Sequence, residues 1–369
     1  MARRIAARLD HLMPLAGTLY AARHHGCRVT EYGWRGHRLI VLENELLRVG
    51  VVATRGADVV ELRHKPTDLD FLWHSPHPVL PPALAVPTTP TPSGTFFDQY
   101  HGGWQESLPA GNGTPGEGNA RLGLHGEVSS QPWDVHLVEE REARVSVEFS
   151  VRGRRTPFFL RRTMTLESGR PYVALDETLV NEGEEPVPYV WGHHPAFGPP
   201  FLAGGCVLDL PAAPVTVSSG LTRPRYAAGT YDAWPALRSA AGGATGSAVD
   251  ASRLPGKDAR TMDTLYLDLH GLERGFAAIR NPHLDIGVGL EWDARAFPYV
   301  WSWQVFGGAS GYPFYGRAHL VAIEPFTAPI GSRDDAVRTG HARTLGPAEA
   351  LTTWLRAGSI AAERPFSGW

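Results

Sequence analysis

Apolar and polar residues alternate singly through the middle of the chain. Val145, Val147, Phe149 and Val151 take turns with Arg144, Ser146, Glu148 and Ser150, the period-two mark of a strand with one buried face. Leu160, Arg162, Met164 and Leu166 carry the pattern into the next segment, which ends in a turn at Glu167-Ser168-Gly169-Arg170. Val173, Leu175, Glu177 and Leu179 make a third strand, closed by Asn181-Glu182-Gly183. Three such strands joined by short turns predict an antiparallel meander. Upstream, Arg38–Glu43 and Leu46–Ala53 read as paired strands around Glu43-Asn44-Glu45, and Asp58–Arg63 follows an Arg55-Gly56 turn. Downstream, strands are expected at Cys206–Leu210, Thr264–Leu269, Phe276–Arg280, Ile286–Trp292, Val300–Phe306, His319–Glu324 and Ala350–Arg356. Many short strands without βαβ alternation predict an all-β fold, a large antiparallel β-sandwich, and argue against Rossmann or TIM architectures.

Helical spacing is confined to the N-terminus, where Ile5, Leu9, Leu12 and Met13 suggest a short amphipathic helix. Arg8 and Asp10 interrupt any export-signal core after Met1-Ala2-Arg3-Arg4. No stretch reaches the roughly 20 apolar residues of a membrane helix. The expectation is a cytoplasmic protein of one domain spanning 1–369, with 1–30 as an N-terminal extension. Two segments read as excursions: proline-rich His77–Gly94, and Ala233–Ala259, whose Ala, Gly and Ser content suggests little packing value. A net charge of −3 with 20% charged residues gives no basic surface for nucleic acid. Cys27 and Cys206 stand far apart without a CxxC, in keeping with reduced thiols or one bridge.

Three strings concentrate the chemistry: LHGE at Leu124–Glu127, WGHHPAFG at Trp191–Gly198 and IEPFTAP at Ile323–Pro329. His193 and His194 are neighbours on an extended segment, so at most one of them should enter a given site. Glu324 ends an apolar run, Leu320-Val321-Ala322-Ile323, where burying a carboxylate costs several kcal/mol unless it is paired or protonated. His125 and Glu127 share strand parity, and a metal centre there is conceivable, but no further ligands complete it. Residues 111–116 match GxGxxG by chance, since no strand precedes them and Pro115 blocks a helix start. Trp104, Trp133, Trp191, Trp292, Trp301 and Trp303 are expected in the core, some of them flooring a pocket on which a sugar ring can stack. Gln105, Glu106 and Gln304 are the polar neighbours available to hydroxyls.

The ordered set LHGE, HHPAF, Asp263–Tyr266 as D-x-x-aromatic, and IEPF resembles the aldose 1-epimerase (galactose mutarotase-like) superfamily. Gly102–Glu106 (GGWQE), Gln131–Trp133 (QPW) and the Arg55-Gly56-Ala57 turn add to the likeness, which runs from about Arg38 to Arg356. The resemblance implies that superfamily's large antiparallel supersandwich. It implies that His125, His194 and Glu324 are catalytic and that Asp263 binds substrate; Trp104, Gln105, Glu106 and Gln304 are expected to contact substrate from the reading of the pocket floor and its polar neighbours. It implies an isomerase that interconverts α and β anomers of an aldose, with Glu324 as base, His194 as acid and His125 holding the ring oxygen or a neighbouring hydroxyl. No cofactor or metal is implied, and the expected partner is a small sugar, bound by a monomer or homodimer without nucleic acid or membrane. HGEV stands where the superfamily has HGxxR, so sugar preference stays open. Two alternatives share the scaffold: a non-catalytic carbohydrate-binding protein, and an isomerase or lyase acting on a modified sugar.

Overall fold

The alternating segments fold as read. In the computed structural model, which describes residues 26–369 except 87, 90, 92–93, 113–121 and 242–245, Arg144–Arg152, Phe158–Glu167 and Tyr172–Asn181 form the meander. Val145, Val147, Phe149 and Val151 are all buried on it. The turns carry their own chemistry. Asn44 accepts hydrogen bonds through Oδ1 from Leu46 N and Leu47 N, which closes the first hairpin. Its Nδ2 donates to the carbonyls of Glu167 and Arg170, so that two predicted turns hold each other across the interior.

Among the described residues, the larger sheet has twelve strands. From edge to edge they are Arg28–Trp34, His37–Glu43, Leu47–Val52, Asp58–His64, Trp104–Ser107, Gly192–Phe197, His319–Phe326, Tyr299–Phe306, Thr261–Asp268, Val215–Val217 and Gly229–Tyr231, with Leu69–Asp70 beside the fourth. The smaller sheet has eight: Val207–Asp209, Arg274–Asn281, Ile286–Asp293, Ala350–Ile360, the three meander strands and Asp134–Arg141. Within each sheet every ladder is antiparallel, and one apolar core joins Leu42, Val49 and Leu62 of the larger sheet to Val147, Leu175 and Leu290 of the smaller. This is the predicted β-sandwich.

The centre of the larger sheet is buried on both faces. Every residue of Trp104–Ser107, Gly192–Phe197 and His319–Phe326 is buried. Its outer face carries two further apolar clusters, one around Trp73, Phe96, Tyr100 and Phe314 and one around Tyr299, Trp301 and Phe326. The hollow between them is where the site lies.

Two expectations change. Ala233–Ala259 is not loosely packed: Ala236–Arg238 and Ala248–Asp250 pair as a ribbon, and Trp234, Leu237, Ala251 and Leu254 are buried in the main core. Residues 28–30, assigned to an extension, begin the strand Arg28–Trp34. The helix expected around Ile5–Met13 lies outside the described residues. Among the described residues, no helix is long and apolar enough to cross a membrane.

Candidate active site

Strand register assembles the site. Gly192 pairs with Phe326 and Ala196 with Ala322, which sets His194 opposite Glu324. On the flanks, His194 pairs with Gln105 and Glu324 with Trp301. One row on the outer face therefore reads Gln105, His194, Glu324, Trp301. In the next row Trp303 pairs with Thr264. Alternate residues of the same strands, His193 and Glu106 among them, turn to the inner face.

His125 arrives from a turn. Its φ is 61° and that of Gly126 is 78°. A Cβ on Gly126 would sit 2.1 Å from Leu108 O, so the glycine of the HG pair is a steric requirement. Ser107 Oγ lies 3.0 Å from His125 Nδ1 and fixes the ring. The His125 and His194 rings lie 4.7 Å apart. Burial, reinforced by His194, holds the His125 pKa well below the ordinary histidine value, so this ring stays neutral.

His194 Nδ1 and Glu324 Oε2 are 2.8 Å apart, yet that nitrogen has no in-line hydrogen-bond acceptor. The carboxylate sits beside the N–H axis, so the two groups touch without closing on one another. Tyr100 Oη lies 3.1 Å from His194 Nε2. Burial and then the charges of Glu324 and Asp58 raise the Tyr100 pKa well above that of a free phenol. A phenol that keeps its proton can donate to Nε2, and an imidazole proton on Nδ1 would then face Glu324.

These groups line a cavity of about 200 Å³. Asn112 and Thr264 add polar edges, and Phe96, Phe97, Leu124, Trp301, Trp303 and Ile330 form its walls. Trp303 stacks on His194 with rings 6.0 Å apart and 25° from parallel. Behind His194 lies a buried polar layer. Gln105 Nε2 donates to Gly102 O at 2.7 Å and to Asp58 Oδ2 at 3.3 Å. Arg55 Nη1 reaches Asp58 Oδ2 at 3.1 Å and His101 Nδ1 at 2.6 Å. Burial pushes the Asp58 pKa up to about 6, with Arg55 the chief opposing influence.

Of the residues expected at the site, the structure brings His125, His194 and Glu324 together and turns others away. Asp263 shares a strand with the cavity residue Thr264 but points to the opposite face. Its carboxylate accepts from Arg225 N at 2.8 Å and Arg225 Nε at 2.7 Å, and Gln304 accepts from the same guanidinium. Trp104 is buried on the inner face, where its Nε1 donates to His193 Nδ1 at 3.2 Å. Glu106 accepts there from Arg162 Nη1 at 3.1 Å and from the Trp191 indole. For these four the physical reason is parity: one residue along a strand moves a side chain through the sheet. Gln105 shares the outer face with His194 but commits its amide to Gly102 O and Asp58, outside the cavity lining. Tyr100 and Phe96 were missed. Their signal was the i, i+4 spacing in FFDQY, and their rings do stack, 5.0 Å apart and 26° from parallel.

A metal centre on His125 and Glu127 is not formed, because the left-handed turn at His125 breaks the strand parity that would join them. The Glu127 carboxylate instead accepts from Gln131 Nε2, from the backbone N of Arg154, Arg155 and Thr156, and from Thr156 Oγ1. Among the described residues, Glu106, Glu177 and His193 place ligand atoms within 4.8 Å of one another. Both nitrogens of His193 are engaged, by Trp104 and by Glu177 at 3.0 Å, and Arg162 occupies Glu106. Burial alone would drive the proton from His193, but Glu106 and Glu177 outweigh it and hold its pKa up. The group is a closed ion cluster of buried side chains whose ligand atoms are already taken, and as they stand they fit no metal.

The sequence profile described as Domain of unknown function (DUF4432) matches residues 34–357. No curated protein matches the chain. Among solved structures, a candidate aldose 1-epimerase from Klebsiella pneumoniae superposes with a TM-score of 0.67 at 14% identity, over 90% of this chain and 82% of that one. A galactose mutarotase-like protein from Clostridium acetobutylicum gives 0.60 at 17% identity, over 91% and 99%. The Slr1438 protein of Synechocystis gives 0.60 at 17% identity, over 92% and 98%. At these identities the likeness is one of fold.

Proposed function

Since the chain belongs to the DUF4432 family and carries a galactose mutarotase-like fold, we propose that it is an aldose 1-epimerase, interconverting sugar anomers by acid–base ring opening. The observation that carries this reading is the His194–Glu324 contact at a cavity wall, 2.8 Å apart and not in line. Mutarotation removes a proton from the anomeric hydroxyl and delivers one to the ring oxygen. Both oxygens are bonded to C1, so an acid and a base lining one hollow can reach them together. Glu324 takes the hydroxyl proton, and His194 Nδ1–H, without an in-line acceptor of its own, donates to the ring oxygen. The C1–O5 bond breaks, the aldehyde rotates about C1–C2, and the ring recloses on its other face with the proton transfers reversed. Neutral His125 hydrogen-bonds the sugar, and Tyr100 holds His194 in the working tautomer. General acid and base groups contribute about 10²–10⁴-fold each. The two buried, unpaired cysteines are in keeping with the cytoplasm.

Magnetisation-exchange NMR on freshly dissolved α-anomers tests this directly. The native protein should speed equilibration, and Glu324→Gln and His194→Asn should abolish the effect while still folding. Native exchange rates in both folded variants would refute the assignment. Saturable sugar binding without exchange would make the protein a carbohydrate-binding module instead.

A further inference from the structure

We infer that the substrate is an uncharged aldose with an apolar edge, of the 6-deoxyhexose type, and that phosphorylated, sulfonated and uronic sugars are excluded. This deepens the epimerase reading and rests on it for the reaction, though not for the binding preference. Among the described lining residues, Glu324 is the one carboxylate, and no lysine or arginine is present. Among the described residues, three arginines on neighbouring strands and turns are committed elsewhere. Arg55 holds Asp58 and His101, Arg225 holds Asp263 and Gln304, and Arg162 holds Glu106 and Ala57 O. An anionic sugar would bring its charge into an aromatic hollow beside Glu324 with no counter-ion among the described lining residues, where like charges repel and desolvation is uncompensated.

Hydrogen-bonding capacity points the same way. Beyond His125, His194, Glu324 and Tyr100, the described lining offers few side-chain groups to hydroxyls: Asn112, Thr264 and the Trp303 indole, since the Trp301 indole donates to Ala328 O. Each buried hydroxyl without a partner opposes binding. Leu124 packs with the apolar cluster on one flank of the His194–Glu324 row, and Ile330 with the cluster on the other. The part of the sugar remote from C1 thus meets hydrocarbon. A methyl group at C6 suits that wall, and a charged or fully hydroxylated arm does not.

The test uses matched series in gluco, galacto and manno configuration: the 6-deoxyhexose, the hexose, its 6-phosphate and the hexuronate. Anomer exchange and saturation-transfer binding are read together on the full-length protein. The expected result is a kcat/KM for the 6-deoxy member at or above that of the hexose, and on the order of 10²-fold above either anion. Anions exchanged or bound as well as the neutral sugars would overturn the inference and leave the epimerase reading intact. Preferential binding of the 6-deoxy member without exchange would uphold the inference and refute the epimerase reading. Failure of every neutral member to bind would also overturn it. Ile330→Lys, checked for folding by thermal melting, supplies the missing cation and should narrow the gap between uronate and 6-deoxyhexose at least tenfold. An unmoved ratio in the folded variant counts against the inference.

Discussion

The two faces of one strand, Gly192–Phe197, meet nearly the same chemistry and differ in access. On the outer face, His194 meets Glu324 at 2.8 Å beside Trp301 and Trp303. On the inner face, His193 meets Glu177 at 3.0 Å beside Trp104 and Trp191. Both pairs are almost fully buried. The inner one is sealed, with Arg162 against Glu106 and both imidazole nitrogens engaged. The outer one borders a cavity and keeps an imidazole nitrogen without an in-line acceptor. Residue type does not separate the proposed catalytic pair from the structural one. Access and incomplete hydrogen bonding do.

The widest gap should appear between adjacent residues of one strand. His194→Asn should lower the anomer-exchange rate by about 10²–10⁴-fold with little change in urea midpoint. His193→Asn should instead destabilise the fold by about 3–5 kcal/mol, because it leaves Glu177 buried without its donor. Equal effects of the two substitutions on rate would erase the distinction drawn between the faces. Arg162→Met should cost a similar 3–5 kcal/mol in urea denaturation, and adding Glu106→Gln should restore part of it. Strict additivity of the pair would contradict the ion-cluster account.

Tyr100→Phe sharpens the outer face. Loss of one hydrogen bond worth about 1 kcal/mol should reduce kcat about fivefold with little change in KM. It should also displace the pH–rate profile, which a merely structural loss would not do. The smallest expected effect concerns His125. Its folded pKa lies well below the ordinary 6.5. As pH falls below 6.5, the unfolded chain takes up a proton that the folded ring refuses, so this contribution to stability is present above 6.5 and lost on acidification. The stability difference between the native protein and His125→Gln should therefore shrink from pH 7 towards pH 5. A difference that grows instead would mean the ring is protonated in the fold.

The meander was readable from sequence because one face of each strand is solvated. Val145, Val147 and Phe149 contrast with polar neighbours, and the strand bounds follow within a residue or two. Trp104–Ser107 and Gly192–Phe197 show no such contrast, since both faces are covered and alternation vanishes. The same blindness affected the site. Glu324 and His194 could be picked out as chemistry, but Asp263, Glu106 and Gln304 were picked out with equal reason and point the other way. Tyr100 is 94 positions from His194 and carries no mark of their hydrogen bond.

By itself the sequence determined the local rules: the strand period, the Asn44 and Asn181 turns, the glycine required after His125, and the presence of imidazoles and carboxylates able to move protons. The tertiary structure decided which of them meet, because side-chain parity follows from strand register and register follows from pairing between distant segments. It also decided which pair is open, because desolvation is imposed by neighbours from elsewhere in the chain. A histidine and a glutamate become an acid and a base where the packing around them leaves a hollow.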